Sequence, residues 1–144
     1  SYKRLVEGAW APTTVTWGVD NRTTAVRVLY PTIKNTRVEM RVPGSDTNPY
    51  LAIAASLASG LYGIKHQLPL NIEATKGNGY ADKSNGVLPS NLLEATTHMQ
   101  HSSVAKDLFG EAFLEHFTNT RMWECRQFAK HVSDWELKRY FEII

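Results

Sequence analysis

The segment RVEMRV at positions 37–42 alternates charged and apolar side chains without interruption. Arg37, Glu39 and Arg41 occupy the odd positions, and valine or methionine occupies the even ones. Successive side chains of a β-strand point to opposite faces, so this period of two predicts a strand with one charged face and one buried apolar face. The Pro-Gly pair at positions 43–44 is typical of a turn and predicts the end of the strand.

Around this strand the sequence predicts an α+β fold. β-Branched runs at 15–17 and 23–29 predict two further strands, and we expect a short antiparallel sheet near the N-terminus. The chain beyond position 48 has helical patterns that we expect to cover the sheet. Helices are predicted from 49 to about 67, from Ser90, from 102 to 110, from 111 to about 131, and from Ser133 onward.

Local capping chemistry supports two of these helix starts. Asn48 followed by Pro49 is typical of an N-cap and a first helical residue. Ser133 and Glu136 have the spacing of a capping box. The helix that begins at Pro49 carries small or apolar residues on nearly all sides, and we therefore expect it to be buried.

Length and composition limit the classes of protein to consider. The 144 residues suit one domain, and we expect no internal boundary within 1–144. A net charge of +2 is too small to drive nucleic-acid binding. The single cysteine excludes an intrachain disulfide and favours a reducing, cytoplasmic location. The longest apolar run, 51–64, is interrupted by serines and glycines and is too short for a membrane helix.

Five arginines lie before or within the charged strand, and they suggest a binding site for an anion. Arg4, Arg22 and Arg27 precede the strand in the chain, and Arg37 and Arg41 flank Glu39. Guanidinium groups bind phosphate or carboxylate through paired hydrogen bonds, and a carboxylate among them suits a hard cation such as Mg²⁺. Together they would hold a polyphosphate with its metal. A solvated strand face with cross-strand ion pairs explains the same pattern equally well. A nucleic-acid-binding face has little support, because few aromatic residues alternate with the arginines.

Several motifs in order resemble one known family. The motifs are YKRL at 2–5, NR at 21–22, RVEMR at 37–41 and NPYL at 48–51. They are similar to the C-terminal part of the glutamine synthetase family, and the order and spacing agree from Ser1 to Gly63. The tail, with DWE at 134–136, resembles members that act on amines other than ammonia. The chain opens at Ser1 directly in SYKRLVEGAWAP, so we expect it to be part of a longer protein whose catalytic domain is incomplete here.

The resemblance implies a role for each matching residue. Arg4 and Arg41 would bind the substrate glutamate, and Arg22 would approach the transferred phosphoryl group as the catalytic residue. The nucleotide-binding residues would be Arg27 and Arg37, and Glu39 would ligate the metal. The implied reaction is ATP-dependent amide formation: ATP phosphorylates the side-chain carboxylate of glutamate, and ammonia or a larger amine then displaces phosphate. The implied cofactors and assembly are ATP, Mg²⁺ or Mn²⁺, and a homo-oligomer with active sites between subunits.

One segment departs from the family pattern. Glutamine synthetases usually have Gly-x-Glu-Ala-Pro where this chain has GAWAP at 8–12, so Trp10 stands in the place of an acid. An indole cannot accept a proton, but its face binds an organic ammonium through a cation–π contact. We therefore expect a larger amine than ammonia. The alternative is that Trp10 only packs as a loop anchor.

Two further hypotheses remain beside the ligase. The first is a catalytically inactive relative with a structural or scaffold role, and the second is a free-standing anion-binding module. Only Glu39 matches a metal-ligand position of the family. Since one carboxylate does not make a metal site of useful affinity, we expect this chain alone to be inactive.

Overall fold

The computed structural model describes residues 2–143 and has the predicted α+β class. Its three strands are β1 (Trp17–Val19), β2 (Val26–Leu29) and β3 (Arg37–Met40). Its five α-helices are α1 (Pro49–Lys65), α2 (Leu92–Gln100), α3 (Ser103–Phe109), α4 (Glu111–Phe128) and α5 (Asp134–Tyr140). Short 3₁₀ turns cover Tyr2–Arg4 and Ile33–Asn35. The chain divides into two compact units, one up to Asn91 and one from Leu92 onward.

The sheet of the first unit has the order β1-β2-β3. The β2–β3 pair is antiparallel, as predicted, and its register places Arg27 opposite Glu39. The β1–β2 pair is parallel, so the prediction of an antiparallel sheet is wrong for this pair. The connection 20–25 brings the chain back to the end at which β1 begins. β2 therefore starts beside Trp17 and runs in the same direction as β1. Asp20 begins this connection with a positive φ of 48°, and Thr24 closes it by donating to the Asn21 carbonyl at 2.9 Å.

The interior of the first unit consists mainly of threonines and small residues. Hydrogen bonds connect this interior to the loop 71–85. Thr14 is fully buried, and its hydroxyl donates to the Gly79 carbonyl at 2.7 Å. The Trp17 indole donates to the Ile72 carbonyl at 2.8 Å, and the Thr75 amide donates to the Trp17 carbonyl at 2.8 Å. These hydrogen bonds hold the polar segment 71–85 against β1 and the residues that precede it.

The apolar face of β3 is exposed, contrary to the prediction. Val38 is 61% exposed and Met40 is 46% exposed, whereas Glu39 on the charged face is half-buried. The charged face packs because Glu39 meets the arginine across the strand pair. No apolar layer within the described part of the first unit covers the other face.

The prediction that α1 is buried is also wrong for this chain. Asn48 caps the helix as predicted, accepting from the amides of Tyr50 and Leu51. None of the described residues of α1 is buried, and large apolar side chains stand out along it. These are Tyr50, Leu51, Ile53, Leu57, Leu61 and Ile64. A helix face is buried only where an apolar surface opposes it, and the described residues bring no such surface against α1.

The second unit is helical. α2 and α3 both pack on α4, whose Leu114 and Thr118 are buried. Ser102 caps α3, and the predicted capping box of Ser133 and Glu136 is confirmed at the start of α5. Among the helices of residues 2–143, none combines the length and the apolar character that crossing a membrane requires.

The contact between Gly79 and Thr23 predicts a specific loss of stability. A Cβ at position 79 would lie 2.8 Å from the Thr23 hydroxyl and 2.9 Å from the Thr23 carbonyl oxygen. Gly79→Ala is therefore expected to lower the free energy of unfolding by about 1–3 kcal/mol, measured by denaturant unfolding. The control is Gly60→Ala on α1, where a Cβ meets no atom within 4 Å. This control should be neutral or stabilising by up to about 1 kcal/mol. Equal stability of the two variants would contradict the prediction.

Candidate functional site

The register of β2 and β3 builds a cluster of charges on one face of the sheet. Arg27 Nη1 donates to Glu39 Oε2 at 3.0 Å, across the strand pair. Arg37 approaches the other oxygen of the same carboxylate, with Nε 3.1 Å and Nη2 3.0 Å from Glu39 Oε1. Glu39 is therefore shared by two arginines. The Arg27 side chain is only 11% exposed, whereas that of Arg37 is 51% exposed.

A second carboxylate, which the sequence reasoning missed, completes this cluster. Asp20 Oδ1 accepts from Arg27 Nε at 3.1 Å and also contacts Nη2, so it binds the side edge of the guanidinium. The signal that was available is the position of Asp20 at the end of β1, directly before Asn21. Aspartate at such a position tolerates the positive φ that the connection requires. We call Asp20, Arg27, Arg37 and Glu39 the arginine–carboxylate cluster.

Hydrogen bonds within the arginine–carboxylate cluster favour the ionised forms of Asp20, Glu39 and Arg27. Hydrogen bonding from Arg27 is the largest influence on both acids, and it holds the pKa of Asp20 and the pKa of Glu39 below their ordinary values. Arg37 lowers the pKa of Glu39 further through its own hydrogen bond. The hydrogen bond with Asp20 in turn raises the pKa of Arg27.

An open cleft of about 640 Å³ borders the arginine–carboxylate cluster. Arg22 and Arg27 line it together with Asp20, Trp10 and the loop 74–77. Asn21 fastens that loop, because its Nδ2 donates to the Gly77 carbonyl at 2.8 Å. The loop adds Lys76 to the cationic lining, a residue that the sequence reasoning did not single out. The cleft therefore has a cationic wall, which suits an anionic ligand.

Arg41 and Arg4 use their guanidinium groups on backbone carbonyls. Arg41 Nη2 donates to the carbonyls of Trp10 at 2.7 Å and Arg22 at 2.9 Å, so it joins two segments of the cleft lining. Arg4 Nη2 donates to the carbonyls of Val42 at 2.6 Å and Arg41 at 3.3 Å. Within residues 2–143, the Nε atoms of Arg4 and Arg41 are buried and have no hydrogen-bond partner.

The six predicted site residues thus lie in one region of the first unit. Arg27, Arg37 and Glu39 are in direct contact, and Arg22 lines the same cleft as Arg27. Arg41 reaches this region through the Arg22 carbonyl, and Arg4 reaches it through the Arg41 carbonyl. Their individual roles stay predictions.

Trp10 also faces the cleft. Its side chain is 65% exposed, and its backbone has a positive φ of 53° that few large residues adopt. Ala11 and Pro12, the next two residues, are fully buried and hold the loop in place. The alternative that Trp10 packs as a loop anchor is therefore wrong for the described chain. Within residues 2–143 the indole is open to solvent beside the cleft.

Glu39, the predicted metal ligand, stands without a set of further ligands among residues 2–143. Glu39 is an ionised oxygen donor of the kind that Mg²⁺ prefers, but both of its oxygens accept from arginines. Across the described residues, 2–143, there is no group of three or more acids, histidines or cysteines placed to hold a metal ion. Glu39 would supply one ligand at most.

Comparisons with known proteins agree on one family. The family described as "Glutamine synthetase, catalytic domain" matches residues 1–140. The chain is 52% identical to type-1 glutamine synthetase 2 of Dictyostelium discoideum over 147 residues, covering 100% of this chain and 28% of the relative. It is 42% identical to the glutamate–isopropylamine ligase of a Pseudomonas species over 146 residues, covering 100% of this chain and 32% of that protein.

A solved structure shows the same fold. Apo GmaS without ligand matches with a TM-score of 0.76 and 31% identity, covering 98% of this chain and 32% of that chain. The chain therefore spans about three tenths of the length of the relatives that it matches.

The lowered pKa values predict how stability depends on acid. A carboxylate with a lowered pKa stabilises the fold at pH values above its ordinary pKa, here 3.8 for Asp20 and 4.5 for Glu39. That contribution is lost as the pH falls through the folded-state pKa. We therefore expect Glu39→Gln to flatten the decline of the unfolding midpoint between about pH 5 and pH 2. The check is thermal unfolding across this range, with Glu115→Gln on α4 as the control. If the unfolding midpoint of the Glu39→Gln variant fell with pH as steeply as that of the wild type, the lowered pKa of Glu39 would be refuted.

Proposed function

Since the chain belongs to the glutamine synthetase catalytic-domain family, we propose that the full-length protein ligates an amine to the side-chain carboxylate of glutamate at the expense of ATP. The observation that carries the proposal is the cationic cleft beside the arginine–carboxylate cluster. Arg22 and Arg27 line this cleft, and Arg37 shares Glu39 with Arg27. Proteins similar to this chain are named type-1 glutamine synthetase 2 and glutamate–isopropylamine ligase.

The proposed reaction has two steps. The γ-phosphoryl group of ATP passes to a side-chain carboxylate oxygen of glutamate, which forms an acyl phosphate and ADP. The amine, bound as an ammonium ion, first loses a proton to solvent. Its nitrogen then attacks the acyl carbon, phosphate leaves, and the nitrogen loses a second proton as the amide forms. Phosphoryl transfer depends mainly on positioning and on neutralising charge, and guanidinium groups supply both.

In our proposal each arginine binds a different part of the reactants. Arg27 and Arg37 hold the nucleotide phosphates from the sheet, and Arg22 neutralises the phosphoryl group in transfer. Arg4 and Arg41 bind the carboxylate of glutamate. Arg41 lies next to the cleft, because its Nη2 donates to the backbone carbonyls of two residues that line it, Trp10 and Arg22. Arg4 follows it, since its Nη2 donates to the carbonyls of Arg41 and Val42.

Metal binding needs more than this chain. We propose that Glu39 contributes one oxygen ligand to Mg²⁺ or Mn²⁺ and that the rest of the full-length protein provides the others. The bound metal would neutralise phosphate charge. The proposal includes a homo-oligomer whose active sites lie between subunits, and a cytoplasmic location.

The first test is product formation by the full-length protein. With glutamate, MgATP and an amine it should form the γ-glutamyl amide and release phosphate in equal amounts, measured by mass spectrometry and a phosphate assay. The 144-residue chain alone should form none. Arg22→Ala in the full-length protein should lower kcat at least about a hundredfold, as expected for loss of an electrostatic contact to the transition state. A full-length protein that binds MgATP but makes no amide would favour the scaffold alternative.

The second test concerns the amine and rests on the exposure of Trp10. We expect higher kcat/KM for methylamine, isopropylamine, ethanolamine or a polyamine than for ammonia. A cation–π contact is worth about 0.5–2 kcal/mol, so Trp10→Ala should lower kcat/KM for the preferred amine roughly 2- to 30-fold. Trp123→Phe, an exposed tryptophan on α4, is the control. A clear preference for ammonia defeats the proposal for Trp10.

A further inference from the structure

The side-on contact between Asp20 and Arg27 has a consequence for nucleotide binding. Asp20 Oδ1 accepts from Nε of Arg27 at 3.1 Å and also contacts Nη2, while Nη1 donates to Glu39 at 3.0 Å. We propose that Asp20 is a positioning residue that orients the Arg27 guanidinium toward the phosphates of a nucleoside triphosphate in the cleft. This inference rests on the proposed ligase function.

The backbone holds Asp20 in this place independently of its side chain. Its φ of 48° lies in the left-handed region, which aspartate adopts more readily than most residues. Its amide donates to the Val28 carbonyl at 3.0 Å, so its main chain is fixed to β2 directly beside Arg27. An exposed ion pair between two mobile side chains would need neither feature. The position of the carboxylate is therefore built into the β1–β2 connection.

A count of donors shows what this contact leaves available. A guanidinium has five N–H groups. Two carboxylates take three of those of Arg27: the N–H of Nε, one on Nη2 and one on Nη1. One N–H remains on each terminal nitrogen, and Arg27 lines the cleft. Such a pair of N–H groups matches the paired hydrogen bonds that arginine makes to a phosphate.

Loss of Asp20 would free the guanidinium to turn. The remaining partner would be Glu39, and a carboxylate favours two parallel hydrogen bonds from one arginine. Arg27 would then use both terminal nitrogens on Glu39 and withdraw them from the cleft. Because the Arg27 side chain is 11% exposed, its neighbours limit it to few arrangements, and its orientation matters.

If Asp20 competed with the nucleotide for Arg27, its removal would change the KM for ATP in the opposite direction. Its side chain is 70% exposed and lines the cleft, so the alternative role is competition with an incoming phosphate for Arg27. Removal of a competing anion would tighten nucleotide binding, whereas removal of a positioning group weakens it. The sign of the change in KM for ATP therefore separates the two roles.

The experiment compares Asp20→Ala and Asp20→Asn in the full-length protein by steady-state kinetics. Asp20→Ala should raise KM for ATP roughly tenfold, since a hydrogen bond to a charged group is worth a factor of ten or more. KM for glutamate and kcat should stay within about twofold. Asp20→Asn keeps one acceptor and tolerates positive φ, so it should give an intermediate KM for ATP. Adding Asp20→Asn to Arg27→Gln should raise KM for ATP no further, because the two residues act together.

Controls separate this inference from a loss of folding and from failure of the proposed function. Glu111→Gln removes an exposed ion pair with Lys106 in the second unit and should leave all three parameters unchanged. If Asp20→Ala does not fold, Asp20→Asn alone decides the result. An active wild type whose KM for ATP is unchanged or lowered in Asp20→Asn overturns the positioning role alone. An inactive wild type overturns the proposed function and this inference with it.

Discussion

The hydrogen bond between Arg27 and Glu39 is the interaction on which the site depends. It joins residues that lie directly opposite each other on β2 and β3. The register of the two strands therefore determines the geometry of the site. A shift of one residue would send every side chain of β3 to the other face and separate these charges. Arg37 and Asp20 then attach to the two members of this pair, and the cleft opens beside them.

The charge arrangement is better explained by ligand binding than by stability. Ion pairs between exposed side chains contribute little to the free energy of unfolding, and Arg37 and Asp20 are both well exposed. The described residues nevertheless place four cations, Arg22, Arg27, Arg37 and Lys76, at or beside one cleft. Two carboxylates only partly offset them. An excess of positive charge at an open surface favours an anionic ligand.

Local chemistry allowed part of this structure to be predicted from the sequence. The alternation at 37–42 predicted β3, and the caps at Asn48 and Ser133 predicted two helix starts. Family motifs indicated the six site residues, which the fold brings into one region. The parallel direction of β1 was not predictable, because it depends on the path of 20–25 and on a positive φ at one residue.

The missed features depend on neighbours rather than on local pattern. Asp20 is seven positions from Arg27, and an exposed acid in a polar segment looks like any solvated residue. The exposure of α1 and of Val38 was missed because periodicity shows which face is apolar but not whether a second surface covers it. The chain spans about three tenths of the length of its relatives, and its described residues supply no second surface for α1 or for Val38.

Arg41 holds the Trp10 loop through its main chain, so the side chain at position 10 takes no part in that attachment. Arg41 donates its hydrogen bond to the backbone carbonyl of Trp10 and not to the indole. The next two residues, Ala11 and Pro12, are buried and fix the loop in place. Exchange of the side chain at this position leaves those main-chain attachments intact. Under the proposed role of Trp10, the loop backbone is therefore independent of the side chain that would meet the amine, and a single substitution there would change amine preference without altering the rest of the loop.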